Sequence, residues 1–134
     1  MSIQLGTFRQ AAVVATDVCM DLALGVEEAV AFFRDPPVDI RLATATYLEL
    51  LDGARSPEEQ RRIKRFVQGF AVLSLGPMAS SRAVELMLQH GVTDGLEPLQ
   101  ALAAATALAH EIPLVTRTPA PYQNIPDLQI ATPY

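Results

Sequence analysis

Apolar and polar positions alternate between two periods along the chain. Ala11 to Ala15 reads Ala-Ala-Val-Val-Ala, a short apolar run of the kind that forms a buried strand, and Thr16-Asp17 follows with side chains suited to cap a turn of helix. Glu27 to Phe33 has helical spacing, Asp35-Pro36-Pro37 interrupts it, and Asp39 to Ala43 is expected to extend as a second strand. Thr46-Tyr47-Leu48-Glu49 carries capping-box spacing and predicts an apolar helix that stops near Gly53. Ser56-Pro57-Glu58-Glu59 repeats the start signal, and Ile63, Phe66, Val67 and Phe70 continue at helical spacing beneath a basic outer face. A strand over 71–75, helices over 77–90 and 98–110, a strand over 114–116 and an edge strand over 128–130 complete the pattern.

Strands that alternate with helices favour crossover connections and a parallel sheet covered on both faces. The expected class is α/β, three layers with a central, mainly parallel sheet of four or five strands flanked by helices. In such sheets, sites form beyond the carboxyl ends of the strands. Ala15-Thr16-Asp17 and Thr116-Arg117-Thr118 are expected there. No repeat or linker divides the chain, so residues 1–134 are expected to form one domain.

Charge narrows the possible partners. Ten basic and fifteen acidic residues leave a formal net charge of −5, the wrong sign for a protein held on nucleic acid by overall charge. Any RNA contact has to be local, and Arg61, Arg62, Lys64 and Arg65 form a cluster that could touch phosphate, although a solvated helix face is the commoner meaning of such a run. The one cysteine, Cys19, has no partner for an internal disulfide, which suits a reducing cytoplasm and a packing role. Apolar runs are cut by Asp17, Asp21 and Glu27, so no membrane span is expected. The first ten residues carry one positive charge and no cleavage site follows, which reads as an unprocessed cytoplasmic protein.

Four stretches together resemble the PIN-domain family, of the VapC toxin type, in its order and at its spacing. They are Val14-Ala15-Thr16-Asp17-Val18, the segment Thr46 to Gly53 around Glu49, Gly95 to Leu108 around Gln100, and Leu114 to Tyr122 around Thr118 and Pro121. The resemblance implies a magnesium- or manganese-dependent ribonuclease, a homodimer, and an antitoxin protein as partner. It also implies acidic or amide residues at 15, 100, 118 and 121, where this chain has Ala15, Gln100, Thr118 and Pro121. Glu49 alone survives among the implied ligands, on the inward face of its helix. Hard cations need several converging carboxylates, so no metal is expected, and the chain reads as a catalytically impaired protein- or RNA-binding module. The alternative is a weak Mg- or Mn-dependent ribonuclease that uses Glu49 with Asp17, Asp21 or a donated carboxylate.

Asp17 reads either as a displaced ligand or as a helix cap, and Glu49 either as a relic ligand or as the third residue of a capping box with Thr46. If Glu49 faces inward without a metal, donors from Gln100, Thr118 or Thr16 are expected to bind its oxygens. Tyr47 and Tyr122 are placed near the cleft by the resemblance. His90 and His110 are expected at helix ends, where imidazole interacts with the last carbonyls. No phosphate-cradling glycine loop or nucleophile elbow supports an unrelated enzyme.

Overall fold

Five short strands line up in parallel in the computed structural model, which describes residues 9–134. The expectation about an amino-terminal leader falls mainly on residues outside that range. Strand β1 is Ala11–Val14, β2 Asp39–Ala43, β3 Ala71–Leu73, β4 Leu114–Val115 and β5 Ile130–Ala131, in the spatial order β3-β2-β1-β4-β5. Helices α1 (Thr16–Ala23) and α2 (Glu27–Arg34) connect β1 to β2, and α3 (Thr44–Asp52) and α4 (Pro57–Val67) connect β2 to β3. Helices α5 (Pro77–Asp94) and α6 (Pro98–His110) carry the chain from one edge of the sheet across to β4. A single turn of 3-10 helix, Ala120–Tyr122, precedes β5.

The period of two along the strands sorts side chains into two cores. Val13, Ala43 and Leu114 face one layer with Ala79, Ala83 and Leu86 of α5 and Ala101, Ala104 and Ala105 of α6. Ala12, Val14, Leu42 and Val115 face the other, with Val18 of α1, Phe32 of α2 and Val67 of α4. Both faces of the sheet are therefore covered, and the fold is the expected three-layer α/β arrangement. Alanine dominates α6 because its backbone lies close to both the sheet and α5, where a larger side chain would not fit.

The boundaries differ from the sequence expectations in instructive places. Helix α3 begins at Thr44, two residues before the expected cap, because β2 turns directly into it with Ala43 as the capping residue. Thr46 is consequently buried inside the helix and forms no capping box. Thr16 and Asp17 likewise lie inside α1, whose cap, Ala15, offers no side-chain bond. Helix α5 runs a turn past His90, since the His90 ring pairs with Asp94 at 2.7 Å and Gly95, at φ 72, supplies the left-handed residue that stops it. His90 is thus interior to its helix, whereas His110 ends α6 as expected. Strand β3 ends at Leu73 and β4 at Val115, each earlier than expected, and β5 is shifted to pair Leu114 with Ile130 and Val115 with Ala131.

Candidate functional site

Strand order places the site before any side chain is considered. From β1 the chain builds outward to β2 and β3 on one side, and from β4 to β5 on the other, so β1 and β4 meet where the order reverses. Their carboxyl ends, paired through Val14 and Val115, open a crevice at that switch point. A cleft of about 210 Å³ lies there, lined by Ala15, Thr16, Asp17, Met20, Glu49, Leu99, Gln100, Ala103, Thr118 and Tyr122. It gathers residues from the end of β1, α1, α3, α6 and the segment after β4. Larger grooves exist elsewhere, but their walls carry none of the residues singled out by the resemblance.

Glu49 sits half-buried on α3 and points into the cleft. Thr16 donates its hydroxyl proton to Glu49 Oε1 at 2.6 Å, and the Thr16 and Thr46 hydroxyl oxygens lie 3.0 Å apart. A carboxylate only accepts, so this short contact assigns the proton direction. The expectation that neighbouring donors solvate Glu49 holds through Thr16. Gln100 does not take part: its side-chain oxygen accepts from the Glu97 backbone N–H at 2.9 Å, within a capping box at the start of α6.

Asp17 has a different task from either role expected of it. Its Oδ2 accepts from the Thr116 hydroxyl at 2.9 Å, from the Arg117 backbone N–H at 2.8 Å and from the Thr118 hydroxyl at 3.3 Å. Its Oδ1 accepts from the Val18 N–H at 3.0 Å. One carboxylate therefore ties the first turn of α1 to the segment leaving β4, a link about a hundred residues long in sequence. Thr118, expected as a donor to Glu49, serves Asp17 instead.

Asp21 is also committed. It is buried, and its Oδ2 receives both the Arg117 guanidinium, with Nε at 2.7 Å, and the Tyr134 hydroxyl at 2.8 Å. Burial and that bond to a carboxylate push the Tyr134 phenol well above its ordinary range. Tyr122 is buried in the cleft wall, and its phenol is raised first by burial and then by the negative charges of Asp17, Glu49 and Glu97. It stays neutral at every physiological pH. Pro121 belongs to the 3-10 turn that carries Tyr122 and is not among the cleft-lining residues.

Tyr47 faces away from the cleft and packs against the core on the α2 and α4 side, because a residue two positions before Glu49 lies on another face of the helix. Neither histidine lines the cleft. Cys19 is buried, and burial, reinforced by the charge of Asp17, pushes its thiol up to about 12, which leaves it a packing residue. Sequence reasoning missed the Asp17–Thr116 link and the Asp21–Arg117–Tyr134 cluster. No local spacing signals either, since each joins opposite ends of the chain.

Among the described residues no three His, Cys, Asp or Glu side chains converge as a metal-binding group. No helix of the described residues is long and apolar enough to cross a membrane. A five-stranded parallel sheet with acidic side chains at its switch point defines the class, and residues 16–118 match the family model for the PIN domain. The chain belongs to the PIN-domain family. It is similar in fold to a chain of a toxin-antitoxin complex from Klebsiella pneumoniae, with a TM-score of 0.75 at 25% identity over 92% of this chain and 98% of that one. VapBC2 from Rickettsia felis, bound to a DNA fragment from their promoter, gives a TM-score of 0.73 at 16% identity over 92% and 98%. VapBC-1 from nontypeable Haemophilus influenzae gives 0.73 at 17% over 92% and 98%. No curated protein sequence matches the chain.

Proposed function

We propose that this PIN-domain chain acts as the protein-binding member of a toxin-antitoxin-type pair and is impaired in the metal-dependent RNA cleavage its family implies. The observation that carries the reading is the state of the carboxylates around the cleft. Magnesium takes octahedral oxygen ligands, keeping several waters and relying on one or two protein carboxylates with oxygens free to face it. Asp17 uses both oxygens on backbone and hydroxyl donors, Asp21 is held by Arg117 and Tyr134, and Gln100 spends its oxygen on a helix cap. One oxygen of Glu49 remains without a bond among the described residues. Such a donor set does not fit a catalytic divalent ion.

The toxin-antitoxin and VapBC complexes whose fold this chain shares support an antitoxin protein as the partner. A groove of about 610 Å³ between α1, α3 and α4 suits such a partner, lined by Met20, Leu50, Ile63, Phe66 and Arg62. Met20 and the neighbouring Leu24 are exposed beside it, as expected of a surface that an apolar helix covers. Arg61, Arg62, Lys64 and Arg65 are all exposed on α4 and make no ion pair among the described residues, which supports local contact with an acidic partner or with RNA.

Titration calorimetry of manganese and magnesium into the purified chain tests the reading. No saturable heat is expected at millimolar metal. A second reading, a weak ribonuclease, draws on Asp17 and Glu49 lining the same cleft. Saturable metal binding, together with metal-dependent RNA cleavage that Glu49→Gln abolishes, would establish that reading in place of the first.

A further inference from the structure

We propose that the groove between α5, the end of α6 and the start of β5 is a docking site for an extended, basic segment of another protein. The proposal stands apart from the state of the cleft and from the groove beside α4, because α5 and α6 cover the other face of the sheet. The groove has a volume of about 810 Å³, room for a short stretch of peptide. Part of its wall is apolar. Leu108 and Ile112 come from α6 and the turn after it, and α5 adds an apolar outer face on which Met78 is 77% exposed. Such surface gains from being covered, without naming what covers it.

Charge names the occupant. Glu111 and Asp127 line the groove, are exposed, and make no ion pair among the described residues. Glu85 is only loosely tied to Arg82, at 3.9 Å. Three carboxylates thus stand against one guanidinium, a potential that draws cationic side chains and repels a phosphate backbone.

Two further observations make that occupant a polypeptide in extended form. The Nε of Arg82 is buried and has no acceptor among the described residues. A neutral carbonyl oxygen, which every peptide unit carries, can accept that proton without adding a fourth negative charge. Strand β5, meanwhile, is the last strand of the sheet. Leu114 and Thr116 donate to the Gln129 and Ala131 carbonyls, so the residue between them, Ile130, turns its own N–H and C=O to the open edge. Gln129, next to it, lines the groove. A segment lying there adds hydrogen bonds at that edge while its lysine or arginine side chains reach Glu111 and Asp127.

Fluorescence anisotropy of two labelled hexapeptides, Lys-Val-Lys-Val-Lys-Val and Glu-Val-Glu-Val-Glu-Val, titrated with the full chain at low salt, is the test. Saturable binding of the lysine peptide is expected, at least about tenfold tighter than that of the glutamate peptide. Glu111→Gln and Asp127→Asn remove charge at two positions of left-handed backbone, φ 55 and 68. Each is expected to weaken binding about threefold, and the two together about tenfold. Arg82→Lys keeps the charge and loses the Nε donor, and about a fivefold loss is expected. Asp52→Asn, exposed at the end of α3, is expected to leave binding within about twofold. Methylating every backbone nitrogen of the lysine peptide removes its donors and keeps its charge, and is expected to weaken binding about fivefold. Far-ultraviolet circular dichroism checks that each variant is folded. No saturable binding of the lysine peptide overturns the proposal. Equal binding of both peptides does so too, as does a loss on Asp52→Asn as large as that on Asp127→Asn, since either marks unspecific attraction to an acidic chain. An affinity indifferent to methylation overturns the extended mode, and displacement of the peptide as the chain's own concentration rises gives the groove to a second copy instead.

Discussion

Replacing Asp17 by alanine separates a structural carboxylate from a relic metal ligand by the sign of the change in stability. In a working metal site, carboxylates crowd together without their cation, and removing one relieves repulsion, so the metal-free protein gains stability. Here Asp17 Oδ2 gathers three donors from the segment after β4, at 2.9, 2.8 and 3.3 Å. Hydrogen bonds to a charged acceptor contribute roughly 1.5–3 kcal/mol each when buried. The three do not count equally. Arg117 is exposed and its N–H regains water, and the Thr118 contact is long. Thr116 is fully buried, so its hydroxyl proton is left with only the long 3.4 Å contact to the Thr118 hydroxyl, while the Thr118 N–H still donates to its oxygen at 3.1 Å. Asp17→Ala is therefore expected to lower stability by about 2–4 kcal/mol. Asp17→Asn keeps one accepting oxygen without the charge, and roughly half that loss follows. Glu49→Gln, which preserves the acceptor for Thr16, is expected to change stability by less than about 0.5 kcal/mol. Urea unfolding followed by circular dichroism measures all three, with an unchanged m-value as the check that the folded state is the same. An Asp17→Ala protein as stable as the parent, or more so, would refute the link between α1 and β4.

Further outcomes follow from the same geometry. Ala15→Asp combined with Gln100→Asp adds two carboxylates to a cleft that holds Glu49; the variant is expected to unfold at lower temperature than the parent without metal and to recover about 2.7 kcal/mol when manganese reaches a hundred times its dissociation constant, a rise the parent does not show in the same thermal scans. The Asp94 carboxyl is held below its ordinary 3.8 by bonds from His90 and Asn124, so its contribution is present above that pH and is lost as pH falls below it. Asn124→Ala is expected to be less stable at neutral pH and to show a shallower stability loss below about pH 4, read from urea midpoints across pH. Tyr134→Phe removes one of the two bonds holding Asp21 Oδ2 and is expected to cost about 0.5–1.5 kcal/mol in the same unfolding assay. Cys19, buried and pushed up to about 12, is expected to resist a thiol-reactive disulfide reagent in the native protein and to react within seconds in denaturant.

Periodicity carried most of the architecture. Helix α6 begins and ends where its proline start and alanine run predict, and β2 occupies the five residues directly before Thr44, one residue after the double proline. Both are dictated locally, by prolines that break helices and by side chains that alternate across a strand. Cap chemistry was less dependable. Ser56 caps α4 through the Glu59 N–H as its spacing suggests, yet the same kind of signal at Thr46 and Glu49 has another use. A strand that turns straight into a helix started α3 early and drew Thr46 inside.

The cleft residues were legible one at a time, and their partnerships were not. Ala15, Thr16, Asp17, Glu49, Gln100, Thr118 and Tyr122 do converge on one cavity, as expected from strand ends and from the resemblance. Which donor serves which carboxylate depends on distances set by packing. Thr16 reaches Glu49 because α1 and α3 leave adjacent parallel strands in the same direction, and Gln100 is withdrawn by the cap of its own helix. Composition and pattern thus determined the layers, the sheet and the place of Glu49 on α3, since those follow from the period of apolar side chains and from residue identity. The tertiary structure alone decided that Asp17 became a tie between chain segments, that Asp21 was claimed by Arg117 and Tyr134, and that α5 was left with an apolar outer face. Each of those outcomes needs groups brought together from distant parts of the chain, and short-range pattern holds no record of which groups will meet.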